Sequence, residues 1–217
     1  MGVPRDRPGR PAGRDLTVTS LLEPRGAGGD GPATGDDALD ALVRSLDGPM
    51  AVVTVASPRE RAGCLVGFHA QSSIEPRRYT VWLSKANHTY RVGLLSTHAA
   101  VHFLTADDRD LAERFGTLSG DRVDKFAGLD VAGGPGGVPV LAACPHRLVG
   151  RRVALLDEGG DHVCVVLDPV EVRTTGPFTP LRLSDVRDLD AGHPAGDRPA
   201  PASVRAGGWS PPPPLSS

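Results

Sequence analysis

From Met50 to Val172 the chain is broken into short apolar, β-branched runs, closely spaced and without the regular strand-helix alternation of a doubly wound sheet. The first of them, Met50 to Ala56, lies between Gly48-Pro49 and Ser57-Pro58. Others follow at Gly63 to Ala70, Tyr79 to Leu83, Ala99 to Leu104, Arg147 to Leu156 and His162 to Val172, the last two joined by the turn Glu158-Gly159-Gly160-Asp161. Helical patterns are few. Leu39, Leu42, Val43 and Leu46 recur at i, i+3, i+4, i+7 behind a Thr34-x-x-Asp37 cap, Leu111, Ala112 and Phe115 follow Asp107-Asp108, and a third helix is expected over His88 to Leu95. The pattern predicts a mainly β fold, a closed or split antiparallel barrel with peripheral helices.

The rest of the chain bounds the domain. Residues 1–33 and 191–217, the latter with the run Pro211 to Pro214, are rich in Gly, Pro and charge and poor in large apolar side chains, so they cannot bury enough surface to offset the entropy of ordering. They are expected as disordered tails around one domain at 34–190. A short apolar patch at Leu16, Val18, Leu21 and Leu22 is the one place where the first tail could dock.

Charge and cysteine usage exclude several functions. A net charge of −2 supplies no basic field for nucleic acid or an anionic membrane. Arg5, Arg7, Arg10 and Arg14 are not followed by a secretory apolar segment, and no run reaches membrane-spanning length. Cys64, Cys144 and Cys164 are an odd number in apolar, strand-like surroundings, which reads as reduced and structural. The expected compartment is the cytoplasm, and the open class of partner is a small ligand.

Motifs with sharp spacing rules are missing. There is no Gly-x-Ser-x-Gly elbow, His-Glu-x-x-His, Cys-x-x-Cys or Walker loop, and Cys144-x-His146 is half of a metal pair without its second half, so no metal site is expected. Gly133 to Gly137 around Pro135 reads as a surface loop. One segment holds more. Ser84-Lys85-Ala86-Asn87-His88-Thr89-Tyr90 joins a strand end to a helix start with Asn87 at the N-cap, and would leave the N–H groups of His88, Thr89 and Tyr90 free. A cation at Lys85, hydroxyls at Ser84 and Thr89 and a helix N-terminus together suit an organic phosphate. An ordinary capped helix beside a solvated lysine accounts for the same residues.

Longer stretches break that tie by resemblance. Gly63 to Pro76 (Gly-Cys-Leu-Val-Gly-Phe-His-Ala-Gln-Ser-Ser-Ile-Glu-Pro) followed by Tyr79 to Thr89 resembles the core of the flavin reductase-like FMN-binding family, in which a glycine-led strand crosses a Ser/Thr-rich bend, reaches an acidic-Pro turn and returns to a strand ending in a polar loop. His102-Phe103-Leu104, the segment Asp110 to Phe115, Asp124-Lys125-Phe126 and Gly160-Asp161-His162 match further motifs in order, so the resemblance spans about Pro49 to Arg173. It departs at Leu65 to His69, where the family usually carries Thr-x-Ser-Ser-Phe, and after Pro180-Leu181, where an Arg-Gly-Arg-Tyr type of ending is replaced by Arg182 to Asp188. These departures mark a divergent subgroup.

The resemblance implies an FMN-binding split β-barrel, acting as an NAD(P)H:flavin reductase in which hydride passes from a nicotinamide nucleotide to the flavin. It implies a homodimer with flavins near the subunit interface, and a separate monooxygenase as a receiver of reduced flavin. Its cofactor-binding residues carry over to Gly67, Phe68, His69, Ala70, Gln71 and Ser72 for the ring, and to Ser84, Lys85, Asn87, His88, Thr89 and Lys125 for the rest of the cofactor. His162 becomes a nicotinamide contact, against its alternative as a turn histidine bonded to Asp161. No side chain is needed as nucleophile or general base, because the flavin carries the chemistry. FAD in place of FMN, NADH or NADPH as donor, a non-catalytic flavin-binding protein and an oxidase of the pyridoxamine-phosphate type stay open as alternatives.

Overall fold

The computed structural model describes residues 35–190, and the tails expected at 1–33 and 191–217 lie outside the described residues. In chain order the elements are α1 (Asp36–Leu46), β1 (Ala51–Ala56), β2 (Arg61–Val66), β3 (His69–Ser73), β4 (Arg78–Ser84), α2 (His88–Leu95), β5 (His98–Phe103), α3 (Arg109–Thr117), β6 (Val131–Gly133), β7 (Pro139–Leu141), β8 (Arg147–Leu156) and β9 (His162–Arg173). Seven strands form one antiparallel sheet in the order β2-β1-β5-β8-β9-β4-β3. Its two edge strands, β2 and β3, are consecutive in the chain, so the sheet must curl until its edges approach. The edges come together at a seam where β2 lies against β4, and the bend between β2 and β3 is tied to β4 by the Trp82 N–H, which donates to the Phe68 carbonyl at 2.9 Å. The result is a split barrel.

Side-chain alternation explains the curl. Ala51, Val53 and Val55 of β1 point into the barrel with Cys64, Val66, Val81, Val101, Val163, Val165 and Leu167, and α2 adds Tyr90 and Val92 to the same interior. Met50 and Val52 face the other way, into a second cluster built on Phe115 of α3 with Phe126, Leu141, Cys144 and Leu181. Because β1 is covered on both faces, it reads as a continuous apolar run rather than an alternating one. Each of its valines contributes about 1.5–3 kcal/mol of transfer free energy on burial.

The structure departs from the sequence expectations at three places. The strand expected over Gly63 to Ala70 is two strands, broken at Gly67 and Phe68, and it is this break that lets the chain cross the seam. The Gly133 to Gly137 loop is flanked by a small antiparallel ribbon, β6 with β7, whose turn contains Gly136 at φ 67; a Cβ there would also sit 2.3 Å from His98 Nδ1. The first helix begins one residue after Gly35, which caps it at φ 70 without a side-chain hydrogen bond, while Thr34 of the expected cap lies outside the described residues.

Candidate functional site

Three segments converge at one end of the split: the bend between β2 and β3, the end of β4, and the β8–β9 hairpin. Ser84 is opposite His162 in the β4–β9 register, and the Lys85 N–H donates to the Asp161 carbonyl at 2.8 Å. Phe68, whose carbonyl is already held by Trp82, turns its ring outward, where it is 46% exposed and meets the His162 ring edge to face at 5.3 Å. Gly67, Ala70, Gln71 and Ser72 are exposed along the same stretch, with a register irregularity between Gln71 and Ser73. An exposed aromatic ring whose backbone is held in the sheet offers a flat apolar face, as a planar heterocycle requires.

His69 does not join that wall. Its Nε2–H donates to the Pro49 carbonyl at 3.0 Å, so Nδ1 accepts from the Tyr79 hydroxyl at 2.7 Å. Burial holds the imidazole below the usual histidine value, and burial pushes the Tyr79 phenol up to about 12. The neutral pair, packed against Phe103, braces the underside of the bend.

Lys85 Nζ donates to Asp157 Oδ1 at 2.8 Å, and the same oxygen accepts the Gly159 N–H at 2.9 Å. The lysine and then the Gly159 N–H hold the Asp157 carboxyl below the usual carboxylate range. The helix start that follows is more fully engaged than its sequence suggests. The Asn87 side chain caps the Thr89 N–H at 3.0 Å, and the Tyr90 N–H bonds the Asn87 carbonyl at 3.1 Å, so two of the three N–H groups expected to be free are satisfied within the turn. Thr89 is buried, and the Cys64 thiol is buried as well, which pushes its pKa up.

The remaining expected residues lie on another side of that turn. His88 sits between Glu60, with Nε2 at 3.2 Å from Oε2, and Asp121, with Nδ1 at 3.0 Å from Oδ1. Together with Lys125 it lines a polar cleft of about 440 Å³ between the start of β2 and residues 120–126. Lys125 is turned inward and 5% exposed; its ammonium donates to the Phe115 and Gly63 carbonyls at 2.9 and 3.1 Å, and burial lowers its pKa. It thereby fastens β2 to the end of α3. The close approach is possible because Gly63 has no side chain: a Cβ there would lie 2.7 Å from Phe115 Cε1.

The expected residues thus fall into separate groups. Gly67 and Phe68, with Ser84, Lys85 and His162, lie toward the Ser84 end of β4, whereas Ala70, Gln71 and Ser72 run along β3 toward the Arg78 end; His88 and Lys125 share the polar cleft, and Asn87 caps the turn that carries His88 and Thr89. Asp157, Tyr79 and Pro49 were not expected in the site. Only Asp157 carries a local signal, as an acceptor placed two residues before a turn glycine. Among the described residues no group of three His, Cys, Asp or Glu is arranged to hold a metal ion.

Comparisons with known proteins show which family the chain resembles. A family model described as "Flavin reductase like domain" matches residues 43–186. The chain is 32% identical over 162 residues to the NADH:riboflavin 5'-phosphate oxidoreductase of Streptomyces pristinaespiralis, covering 73% of this chain and 89% of that protein. It is 31% identical over 139 residues to the FMN reductase (NADH) SmoA of Agrobacterium fabrum, covering 64% and 75%. Among solved structures, the NADH:FAD oxidoreductase SgcE6 of Streptomyces globisporus shares the fold, with a TM-score of 0.60 at 22% identity over 79% of this chain and all of that one.

Proposed function

The chain belongs to the flavin reductase-like family, and we propose that it binds FMN at the mouth of the split and uses NADH to reduce it. It is a flavin reductase-type oxidoreductase. The choice of FMN and NADH is supported by the names of the two curated relatives, both of which couple these two molecules. The observation that carries the reading is the convergence of Phe68, His162 and Lys85 at one end of the barrel.

The residues fit the cofactor. The exposed ring of Phe68 offers a wall for the flavin, and the only formal cation between Ser84 and Thr89, Lys85, is already bound to a carboxylate oxygen, so its setting is that of an anion seat. When bound, FMN supplies a hydride acceptor at its N5. Backbone groups of the Gly67 to Ser72 bend would face the ring, Lys85 and the Ser84 hydroxyl would hold the 5′-phosphate, and Asn87 would fix the turn that presents them. His162, bonded through Nδ1 to Asp161 Oδ1 at 2.8 Å, would keep its ring edge toward Phe68 and close one side of the nicotinamide approach. His88 and Thr89 would support the seat from the cleft side and from beneath, and Lys125 would act only through the packing of β2 on α3.

Three further proposals follow. The protein works as a homodimer, supported by the exposed Leu39, Leu42 and Leu46 on α1 and Val170 and Val172 on β9, apolar surface that a second copy would cover. It works in the cytoplasm, consistent with three cysteines outside any disulfide and with no helix, among the described residues, long and apolar enough to cross a membrane. Its reduced flavin passes to a separate monooxygenase.

The phosphate seat is tested by titrating FMN and riboflavin against wild type and Lys85→Ala, following the quenching of flavin fluorescence. Loss of a charge-assisted bond worth ~1.5–3 kcal/mol should weaken FMN roughly 10- to 150-fold. Riboflavin, which lacks the phosphate, should be nearly indifferent. Equal losses for the two ligands, or no loss for FMN, contradict the assignment.

A further inference from the structure

We propose that Asp157 is a specificity-determining residue, an internal carboxylate that competes with the flavin phosphate for Lys85 and so limits the preference for phosphorylated over unphosphorylated flavin. The inference rests on the reading of Lys85 as the phosphate seat.

Asp157 Oδ1 lies 2.8 Å from Lys85 Nζ, and the lysine side chain is only 17% exposed, which leaves its ammonium little room for a second anion. Any phosphate at Lys85 must therefore replace the carboxylate or lie against it. The surroundings sharpen the conflict, because Glu158 and Asp161 are on the same hairpin tip, and like charges at close range repel. The tip can give way. Gly159 adopts φ 88, and neither it nor Gly160 has a neighbouring atom within 4 Å of a built Cβ. The strand beyond it cannot, since the Lys85 N–H holds the Asp161 carbonyl and Ser84 pairs with His162. Displacement is thus confined to residues 157–160, and the ammonium exchanges one oxygen anion for another. Without ligand, the carboxylate holds the Lys85 ammonium against the β8–β9 hairpin.

Asp157→Asn removes the charge and keeps an oxygen for the Gly159 N–H. Partly exposed ion pairs are worth up to ~1 kcal/mol, so the variant should bind FMN about three- to fivefold more tightly than wild type, with riboflavin unchanged. Asp157→Ser, which shortens the side chain, should act in the same direction, and thermal melts of both variants check that the hairpin is intact. In a Lys85→Ala background the gain should shrink. If Lys85→Ala leaves the FMN-to-riboflavin ratio untouched, the phosphate seat itself fails and this inference with it. If Lys85→Ala collapses the ratio but neither Asp157 variant tightens FMN, only the competition is overturned. Equal weakening of both ligands by Asp157→Asn also overturns it, since Asp157 would then be a brace for the hairpin and nothing more.

Discussion

Phe68 and His162 come from opposite halves of the chain and meet edge to face with ring centroids 5.3 Å apart, one on the bend where the sheet crosses its own seam and the other at the start of the last long strand. Neither ring is part of a core. Their contact stands beside Ser84 and Lys85, at the end of β4. On the proposed reading a flavin ring against Phe68 would form an aromatic pair of its own, worth ~0.5–1.5 kcal/mol, so Phe68→Ala should weaken FMN and riboflavin alike by about 2- to 12-fold, and His162→Ala, which frees the Phe68 ring, should act in the same direction. Fluorescence titration measures both, and unchanged affinity for both flavins would remove the pair from the site.

His102 should set the acid limit of the fold. It is fully buried, its Nδ1–H donates to the Val52 carbonyl at 3.1 Å, and its Nε2 accepts the Leu141 N–H at 3.0 Å, an arrangement open only to the neutral ring. Burial, aided by the nearby Arg147 and opposed by the Val52 bond, lowers its pKa to about 4. Because the folded value is depressed, the neutral ring's contribution is complete above the unfolded value of about 6.5 and is lost as pH falls from there toward 4, by on the order of 3 kcal/mol. Urea midpoints measured across this window should fall more steeply for wild type than for His102→Gln. Parallel curves would contradict the assignment.

Lys125 should matter to stability rather than to phosphate. Lys125→Met leaves the Gly63 and Phe115 carbonyls without their donor, at a cost of about 1–3 kcal/mol, and should lower the melting temperature. The FMN-to-riboflavin affinity ratio should stay at its wild-type value. A selective loss of FMN would place the ammonium at the phosphate instead.

The β pattern was legible because burial on a curled sheet selects β-branched runs, and α2 was legible from the Asn87 cap and the residues behind it. The break at Gly67 was not. One glycine within an apolar run is compatible with a continuous strand, and only the approach of the sheet's two edges makes it a bend. The site was legible in part for a related reason. Ser84 to Thr89 and Gly160 to His162 are local motifs, but the partner of Lys85 comes from another hairpin, and nothing in the composition around Asp157 joins it to position 85. Lys125 was carried over as a cofactor residue from the Asp124-Lys125-Phe126 motif; the backbone carbonyls that hold it come from Gly63 and Phe115, whose meeting is a property of the packed fold. The cap of α1 fell to Gly35, whose backbone conformation serves without a side-chain acceptor.

On the proposed reading, the protein passes hydride from NADH to a bound flavin. The most direct measurement of that step is anaerobic stopped-flow mixing of the FMN-loaded protein with NADH, followed at the flavin absorption band. The account predicts that the band bleaches at a rate compatible with turnover. A band that persists with NADH, and equally with NADPH, would contradict it and leave a flavin-binding protein without reductase activity.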